Sequence, residues 1–430
     1  MNACSAFATL PVAVRLVTVA VCGLLGGALV NWAVYSLAYQ ASYWSPWSRR
    51  HPRSGRASRW DLAPIFGWWR LRRRSKESGF EPRFWVRPLF VECVCTVGFV
   101  AWYWWEAMLG GLLHPHIAPG LIAANGELSA ALHASCVAHL ALFLFMLAAS
   151  LIDVDEWNIP DEVTVPGTLL GAALLTMAPG GMLPAFFNRR MFAVPLPLDA
   201  AEPFGWPAVM NAGNVLSLLV GLTCVVAWCA GLLMGGRFPA LRDGRMRWGI
   251  AFRLFARRIR RDPWTPRVLI IGLIATIAVF AVWQFFPSHW RGLLTSLLGI
   301  AAGGAIVWSV RILGGWAFQK EAMGFGDVTL MAMIGAYVGW QPALLIFFAA
   351  PAAALVIYVP ALLFRRHEAL PYGPYLCAST LGVLIFWGEI WAWAEPRFTV
   401  AWLIPAVLLA GFLLLGIVLS VLRAVRKAAE

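Results

Sequence analysis

Two of the eight aspartates in this chain lie where a carboxylate is costly. Asp153 lies at the end of a long apolar run, and Asp327 follows Gly-Phe-Gly at the start of another. An ionised carboxylate near a bilayer is unfavourable, so aspartates at span ends are candidates for function. A single one is more often a helix cap or an interface residue, and the joint occurrence of two on one side of the membrane is the stronger signal. If two carboxyl groups meet at a poorly hydrated site, they cannot both ionise cheaply and they titrate as a unit. Such a pair can do aspartic-protease chemistry: one member takes a proton from water while the other polarises the scissile carbonyl.

The residues after Asp153 indicate how this segment enters the next helix. Asp155 is two positions further on, and residues two apart on a helix do not share a face, so these two aspartates are not expected to form the pair. Pro160 then interrupts the helix, and Asp161 is placed to cap the next one. Pro160 and Asp161 are also candidate substrate-binding residues, because they belong to the same segment as the first aspartate.

Glycines precede the second aspartate. Gly324 and Gly326 permit a backbone that is too closely packed or too extended for other residues. This suits a site where a substrate strand lies against the chain beside a carboxylate, so both glycines are predicted to bind substrate. Further along, Gly335 and Gly339 are four residues apart and would permit tight helix packing.

The composition indicates the elements that position these residues. Of the 430 residues, 60% are hydrophobic and 13% are charged, and the mean hydropathy is +0.72. A soluble protein carries about twice that charged fraction, so a bilayer is the expected solvent. The apolar runs are continuous, which predicts an all-α, polytopic membrane protein with about 9–11 transmembrane helices. The runs cover 11–39, 88–113, 128–152, 162–179, 211–235, 268–286, 292–314, 328–341, 342–364, 373–394 and 399–422.

The charges predict the topology. The net charge is +13, and basic residues concentrate in the loops 40–87 and 236–267, which are therefore assigned to the cytoplasm with the N-terminus outside. By this alternation both aspartate segments face the cytoplasm. Because the basic clusters flank membrane spans, contact with lipid head groups explains them and nucleic acid is not an expected partner.

The eight cysteines do not suggest a metal site. None belongs to a Cys-x-x-Cys pair, and most lie inside apolar runs. Buried, reduced cysteine that behaves as a small hydrophobic residue is the preferred interpretation, and no metal is predicted.

At these residues the sequence resembles the type IV prepilin peptidases, which are GxGD-type aspartyl proteases. Residues 150–153 (Ser-Leu-Ile-Asp) with 159–161 (Ile-Pro-Asp) are similar to the family's first catalytic segment, residues 323–328 (Met-Gly-Phe-Gly-Asp-Val) to the second, and residues 371–376 to its Pro-Phe-Gly-Pro-type segment. The resemblance implies that Asp153 and Asp327 are catalytic. It also implies a substrate, the basic leader of type IV prepilins or pseudopilins, cut just before the hydrophobic stem at the cytoplasmic face of the bacterial inner membrane.

The N-terminal part is similar as well. Residues 26–31 resemble the family's first-span motif, 60–64 its cytoplasmic loop, and Glu92 lies where its second span begins. Many members carry two Cys-x-x-Cys pairs in this loop, and the region supports N-methylation of the product. Residues 40–87 contain no cysteine, which excludes zinc there and leaves methylation open. Proteolysis needs no cofactor, and S-adenosylmethionine is implied only if the methyltransferase activity is retained.

The interval between the two aspartates is longer than is usual in the family, so an insertion is expected. We predict a methyltransferase-like region over 1–112, the first aspartate helix pair over 128–179, inserted loops and a span pair over 180–290, a GxGD core over 291–395 and an extra span with a basic tail over 396–430.

Three other functions compete with that of a prepilin peptidase. The two aspartates could be an ion or proton relay of a coupled transporter, although the sequence lacks broken-helix symmetry. The chain could be a membrane scaffold whose motifs persist without activity. A GxGD protease that cuts within membrane spans is the nearest enzymatic alternative.

Overall fold

The computed structural model describes residues 3–38, 63–70, 72, 83–113, 126–185, 196–198, 207–235, 257, 261–318, 323–363, 371–398, 400 and 402–429. Regular structure in these residues is almost entirely helical. Their sheet content is one antiparallel pair of two-residue strands, β1 (Pro184–Ala185) and β2 (Leu196–Pro197). The predicted all-α class is confirmed.

The helices of the described residues are numbered in chain order. They are α1 (Ala3–Ala8), α2 (Val12–Leu37), α3 (Val86–Tyr103), α4 (Gly126–Glu156), α5 (Asp161–Met177), α6 (Val215–Met234), α7 (Thr265–Phe285), α8 (Pro287–Phe318), α9 (Phe325–Val338), α10 (Trp340–Leu363), α11 (Gly373–Ile385), α12 (Trp387–Phe398) and α13 (Leu403–Ala429). A π-helical turn, Trp104–Met108, continues α3. The basic loops 40–87 and 236–267 lie mostly outside the described residues.

In the described part of the chain, six helices are long and apolar enough to cross a membrane: α2, α3 with its π-helical turn, α4, α6, α7 and α8. A seventh crossing results if α11 and α12 count as one span. This is fewer than the nine to eleven crossings that the apolar runs predict. The difference lies partly in short helices: the 14 residues of α9 rise only about 21 Å, less than the roughly 30 Å of a hydrocarbon core.

The run over 373–394 is predicted as one span, but the structure divides it. Helices α11 and α12 meet at an angle of 89°. The second of them carries Glu389, Pro396 and Arg397, so it is far more polar than the apolar helix that precedes it. Because of the angle between them, the two helices do not form one straight crossing of a membrane.

Helix α9 lies at the centre of the fold. Every residue from Gly326 to Val338 is buried, and the helix packs most extensively against α8 and then against α5. A Cβ added to Gly335 would lie 2.1 Å from the carbonyl oxygen of Gly299 in α8, so only glycine permits this approach. The predicted tight packing at Gly335 is confirmed.

Gly339 has a different role from Gly335. Its φ of 85° lies in the left-handed region, and it ends α9 immediately before α10 begins at Trp340. Glycine adopts this conformation without the penalty that a side chain imposes. The split that the sequence predicts near residues 340–342 is therefore a glycine helix end slightly earlier in the chain.

One hydrophobic core joins the regions predicted as separate sections. Leu183, Cys224 and Val279 of the expected insertion are buried in the same cluster as Ile152 and Val328, which are the sequence neighbours of the two aspartates. The segment 180–290 thus contributes to the body of the protein. The division into domains itself stays a prediction.

Candidate active site

Asp153 lies in the last turn of α4. Its side chain is buried, and its Oδ2 accepts a hydrogen bond of 3.1 Å from the backbone N–H of Gly373, the first residue of α11. Helix α11 is held against α4 by further contacts, including one of 3.7 Å from the Cys377 thiol to the Met146 carbonyl. The carboxylate therefore faces the N-terminus of a neighbouring helix, where backbone donors stabilise negative charge.

Asp327 lies in the first turn of α9, and its side chain is also buried. Gly324 occupies the N-cap position of this helix, and its backbone is hydrogen-bonded to the Asp327 carboxyl. The preceding segment is fixed by Arg311 of α8, whose Nε donates a hydrogen bond of 3.1 Å to the Met323 carbonyl. Its guanidinium also lies 5.6 Å from the centre of the Phe325 ring.

The two carboxyl groups line one cleft of about 250 Å³. Asp153 and Asp327 are far apart in the chain, and the fold brings them together because α4, α9 and α11 pack against one another. The cleft is bounded by Asp153, Trp157, Asn158, Ile159, Met323, Gly324, Gly326, Asp327, Pro371 and Tyr372. The predicted pair of acidic residues is therefore present as a site, and its catalytic role stays a prediction.

The two motif glycines have different environments. A Cβ added to Gly326 would lie 2.8 Å from the Ile159 Cβ and 3.0 Å from the Ile159 carbonyl oxygen, so glycine is needed there for the loop before α5 to pack on α9. A Cβ on Gly324 would meet nothing closer than the Asp327 Oδ2, at 3.6 Å. Its backbone, with φ −64° and ψ 154°, suits any residue. Of these two glycines, only Gly326 is required by packing within the described structure.

Pro160 and Asp161 do not line the cleft. Pro160 occupies the N-cap position of α5, with no capping hydrogen bond from its side chain, and Asp161 is the first residue of the helix. An acidic residue there is stabilised by the helix dipole, so Asp161 supports α5 without being the cap that the sequence predicts. The neighbouring Ile159 is the residue of this segment that borders the cleft. A contact of Pro160 or Asp161 with substrate stays a prediction.

Asp155 points away from the site. It forms an ion pair with Arg87, with nitrogen and oxygen 2.8 Å apart. The same arginine donates to the Leu151 carbonyl. The expectation that Asp153 and Asp155 lie on different faces of the helix is confirmed by these contacts.

Gly373 is a site residue that sequence spacing did not identify. A Cβ on it would lie 2.6 Å from the Asp153 Oδ2 and 3.0 Å from the Ile159 Cδ1, so any side chain would displace the carboxylate. The sequence signal for it was Gly-Pro at the start of an apolar run, which is typical of a helix N-terminus. That signal does not reveal which carboxylate the helix faces.

The chemistry of the cleft is set by its two acidic groups. Among the described residues, no group of three or more His, Cys, Asp and Glu side chains is arranged to hold a metal ion. The arrangement is suited to acid–base chemistry on a bound water by two carboxyl groups that share a proton.

Fold and site together define a class: a helical membrane protein with a buried aspartate pair in a cleft at the ends of its helices. Comparison with known proteins bears on the family. Residues 261–359, which include Asp327, match the model of the type IV leader peptidase family. The predicted resemblance to that family is confirmed over this segment. No solved structure matches the chain.

Several curated relatives carry the name prepilin leader peptidase/N-methyltransferase. The protein of Aeromonas salmonicida (strain A449) is 31% identical over 121 residues, which cover 24% of this chain and 40% of the relative. The Pseudomonas aeruginosa protein is 29% identical over 182 residues, or 36% of this chain and 60% of the relative. The Burkholderia pseudomallei (strain K96243) protein is 31% identical over 128 residues, or 28% and 39%. The chain thus matches about 40% to 60% of the length of these relatives.

Proposed function

We propose that this chain is a prepilin leader peptidase, an aspartyl endopeptidase that cuts the basic leader of type IV prepilins or pseudopilins. The observation that carries the proposal is the cleft that Asp153 and Asp327 share. The family match over 261–359 and the names of the relatives support the same reaction. We also propose that the site faces the cytoplasm, at the bacterial inner membrane.

The proposed reaction uses one proton held between the two carboxyl groups. The ionised aspartate takes a proton from a water molecule, which attacks the carbonyl carbon of the scissile peptide bond. The protonated aspartate donates its proton to the carbonyl oxygen, so that a tetrahedral intermediate forms. The intermediate collapses when the C–N bond breaks: the leaving amine receives a proton from the aspartate that deprotonated the water, and one hydroxyl of the intermediate returns its proton to the other aspartate as the new carbonyl forms. The pair again holds one proton.

The cleft suits this reaction because it buries the aspartate pair in the protein while leaving one side open to a substrate. Both carboxyl groups are buried in the protein, which strengthens every interaction with a developing charge. Gly324 leaves the space beside Asp327 unfilled. We propose that the substrate backbone occupies this space, which is the role predicted for this glycine.

The test is co-expression of the full chain with a pilin-like substrate in membranes, followed by the intact mass of the substrate. Asp153→Asn and Asp327→Asn should each lower the cleavage rate by about a thousand-fold or more, because neither amide can transfer the shared proton. Asp155→Asn is the matched control, since Asp155 lies on the same helix but pairs with Arg87 outside the cleft. Normal cleavage by either cleft variant would contradict the proposal.

The same mass measurement addresses methylation. The relatives are named N-methyltransferases, but the loop 40–87 lacks the cysteines that many members carry there. A product heavier by one methyl group, formed only when S-adenosylmethionine is present, would assign the second activity to this chain. An unmodified product would restrict the chain to proteolysis.

A further inference from the structure

Trp157 has an unusual backbone conformation beside the aspartate pair. Its φ is 56°, and Ile65 is the only other non-glycine residue with positive φ in the described part of the chain. Its N–H donates a hydrogen bond of 2.8 Å to the Asp153 carbonyl, so it terminates α4 directly after the turn that carries this aspartate. Glycine would end the helix there without strain. Strained residues of this kind cluster at functional sites, where the strain holds a group in position.

Trp157 is largely exposed. The residue is 62% exposed, and it forms part of the wall of the cleft that holds both carboxyl groups. A tryptophan that only filled the core would be largely buried. The helix end therefore places a large apolar surface next to the dyad without covering it.

Most of the remaining cleft wall has matching chemistry. Ile159, Met323 and Tyr372 supply apolar and aromatic surface, and Asn158 adds a polar side chain besides the two aspartates. Gly324 leaves space next to Asp327. Methionine adapts its shape to the group that it contacts. Such a wall favours an apolar side chain of a bound peptide over a polar or very small one.

We propose that Trp157 is a specificity-determining residue beside the aspartate pair. Its indole binds an apolar side chain of the substrate next to the scissile bond. This inference rests on the proposed function and deepens it. In the proposed substrate, the leader is basic and the stem that follows is apolar, so only the stem offers such a side chain close to the bond. The residue that contacts Trp157 is then the first residue of the stem.

The test compares two substrates that differ only at the first stem residue, phenylalanine in one and alanine in the other. The enzymes are the full wild-type chain and its Trp157→Ala, Trp157→Phe and Trp157→Gly variants in membranes. Trp157→Ala should lower kcat/KM for the phenylalanine substrate by about 10- to 100-fold and for the alanine substrate by no more than about 3-fold. Trp157→Phe should restore most of the preference, because it restores an aromatic face.

Trp157→Gly separates the role of the indole from folding. Glycine removes the backbone strain, so this variant should be at least as resistant to thermal denaturation as the wild type and should still lose the preference. Trp402→Ala is the matched control, since Trp402 is 70% exposed and does not line the cleft. It should leave the ratio of the two substrates unchanged.

The outcomes distinguish this inference from the proposed function. If the wild type cleaves both substrates and Trp157→Ala slows both equally, Trp157 is a structural or membrane-interface residue and the inference is overturned. An unchanged ratio in Trp157→Gly would overturn it as well. If the wild type cleaves neither substrate, the proposed function fails first, and the specificity role fails with it.

Discussion

Helix α4 carries buried ionisable side chains both in its N-terminal half and at its C-terminal end, but the protein satisfies them differently. In the N-terminal half, the His139 Nδ1 lies 2.9 Å from the Glu106 Oε1, and Trp102 donates its indole N–H to the same carboxylate. At the C-terminal end, the Asp153 carboxyl accepts a hydrogen bond from the Gly373 backbone N–H and borders the cleft.

The second histidine in the N-terminal half of α4 is equally well satisfied. The His133 Nε2 lies 3.0 Å from the Tyr103 hydroxyl, and its Nδ1 lies 2.7 Å from the Ser129 carbonyl. The hydroxyl in turn accepts a hydrogen bond from Arg15. Both ring nitrogens thus have partners supplied by the protein, which leaves no capacity for a ligand.

Glu92 of α3 provides a third example of a satisfied carboxylate. It is buried and accepts hydrogen bonds from the Ile65 N–H at 2.6 Å, the Trp68 indole at 2.7 Å and the Asn31 amide at 3.3 Å. It therefore anchors residues 63–70 to the first two spans. A buried carboxylate by itself thus does not indicate chemistry, whereas one that borders a cleft and has few protein donors does.

The largest expected effect on stability tests this comparison directly. Glu106→Ala leaves both the buried His139 and the Trp102 indole N–H without their partner and should lower the free energy of unfolding by about 3 kcal/mol, while leaving cleavage per folded molecule unchanged. Asp153→Asn should do the opposite, abolishing cleavage with little loss of stability. Thermal denaturation in detergent and cleavage per folded molecule are the two measurements. If Glu106→Ala lowered the cleavage rate without lowering stability, the assignment of Glu106 and His139 to stability would be contradicted.

The next effect concerns the one backbone donor to Asp153. Gly373→Ala places a methyl group 2.6 Å from the Asp153 Oδ2 and should lower the cleavage rate by about 100-fold, because a displacement of about 1 Å at a reacting group costs that much. Gly382→Ala is the control, since it is on the same helix and a Cβ there meets nothing within 4 Å. Equal rates for both variants would show that Asp153 needs no fixed position.

The two motif glycines allow a test of which one serves packing and which one leaves space for the substrate. Gly326→Ala collides with Ile159 and should lower the free energy of unfolding by about 1–3 kcal/mol. Gly324→Ala fills space in front of Asp327 and should keep wild-type stability while weakening substrate cleavage by about 10-fold, mainly through KM. Steady-state kinetics and thermal denaturation of both variants decide the point. A stability loss in Gly324→Ala would contradict the assignment.

The smallest effect is expected at the exposed ion pair between Arg87 and Asp155. Their side chains are 43% and 39% exposed, and pairs of this kind contribute roughly 0–1 kcal/mol. A double-mutant cycle with Arg87→Ala and Asp155→Ala should give a coupling energy in this range, and it should decrease in high salt. A coupling energy above about 2 kcal/mol, insensitive to salt, would mean that this pair resembles the buried pair of Glu106 and His139.

The sequence predicted the acidic members of the site better than the rest of it. Asp153 and Asp327 stand out because a carboxylate at the end of an apolar run is costly to ionise and is rarely placed there without a function. Glu92 and Glu106 lie in equally apolar surroundings, and the cost of burying a carboxylate does not distinguish them from the aspartates. What separates them is the set of donors that other helices bring, and that set depends on tertiary contacts.

The residues of the cleft wall illustrate the same limit. Trp157 is one of 24 tryptophans in the chain, and an aromatic belt at the membrane interface accounts for most of them. Gly373 lies 220 residues from the carboxylate that it binds. Neither role can be predicted from spacing, because both depend on how helix ends meet in space.

The amino-acid sequence by itself determined that the chain is an all-helical membrane protein. It also determined roughly where most of the helices begin and end, and that Asp153 and Asp327 are costly to ionise. These properties follow from hydropathy and from glycine and proline, which act over a few residues. Only the tertiary structure decided that α11 and α12 bend apart, that Gly326 serves packing and Gly324 does not, and that Asp153 and Asp327 share one cleft. Those outcomes depend on contacts between distant helices, whose free energies are set by packing in three dimensions.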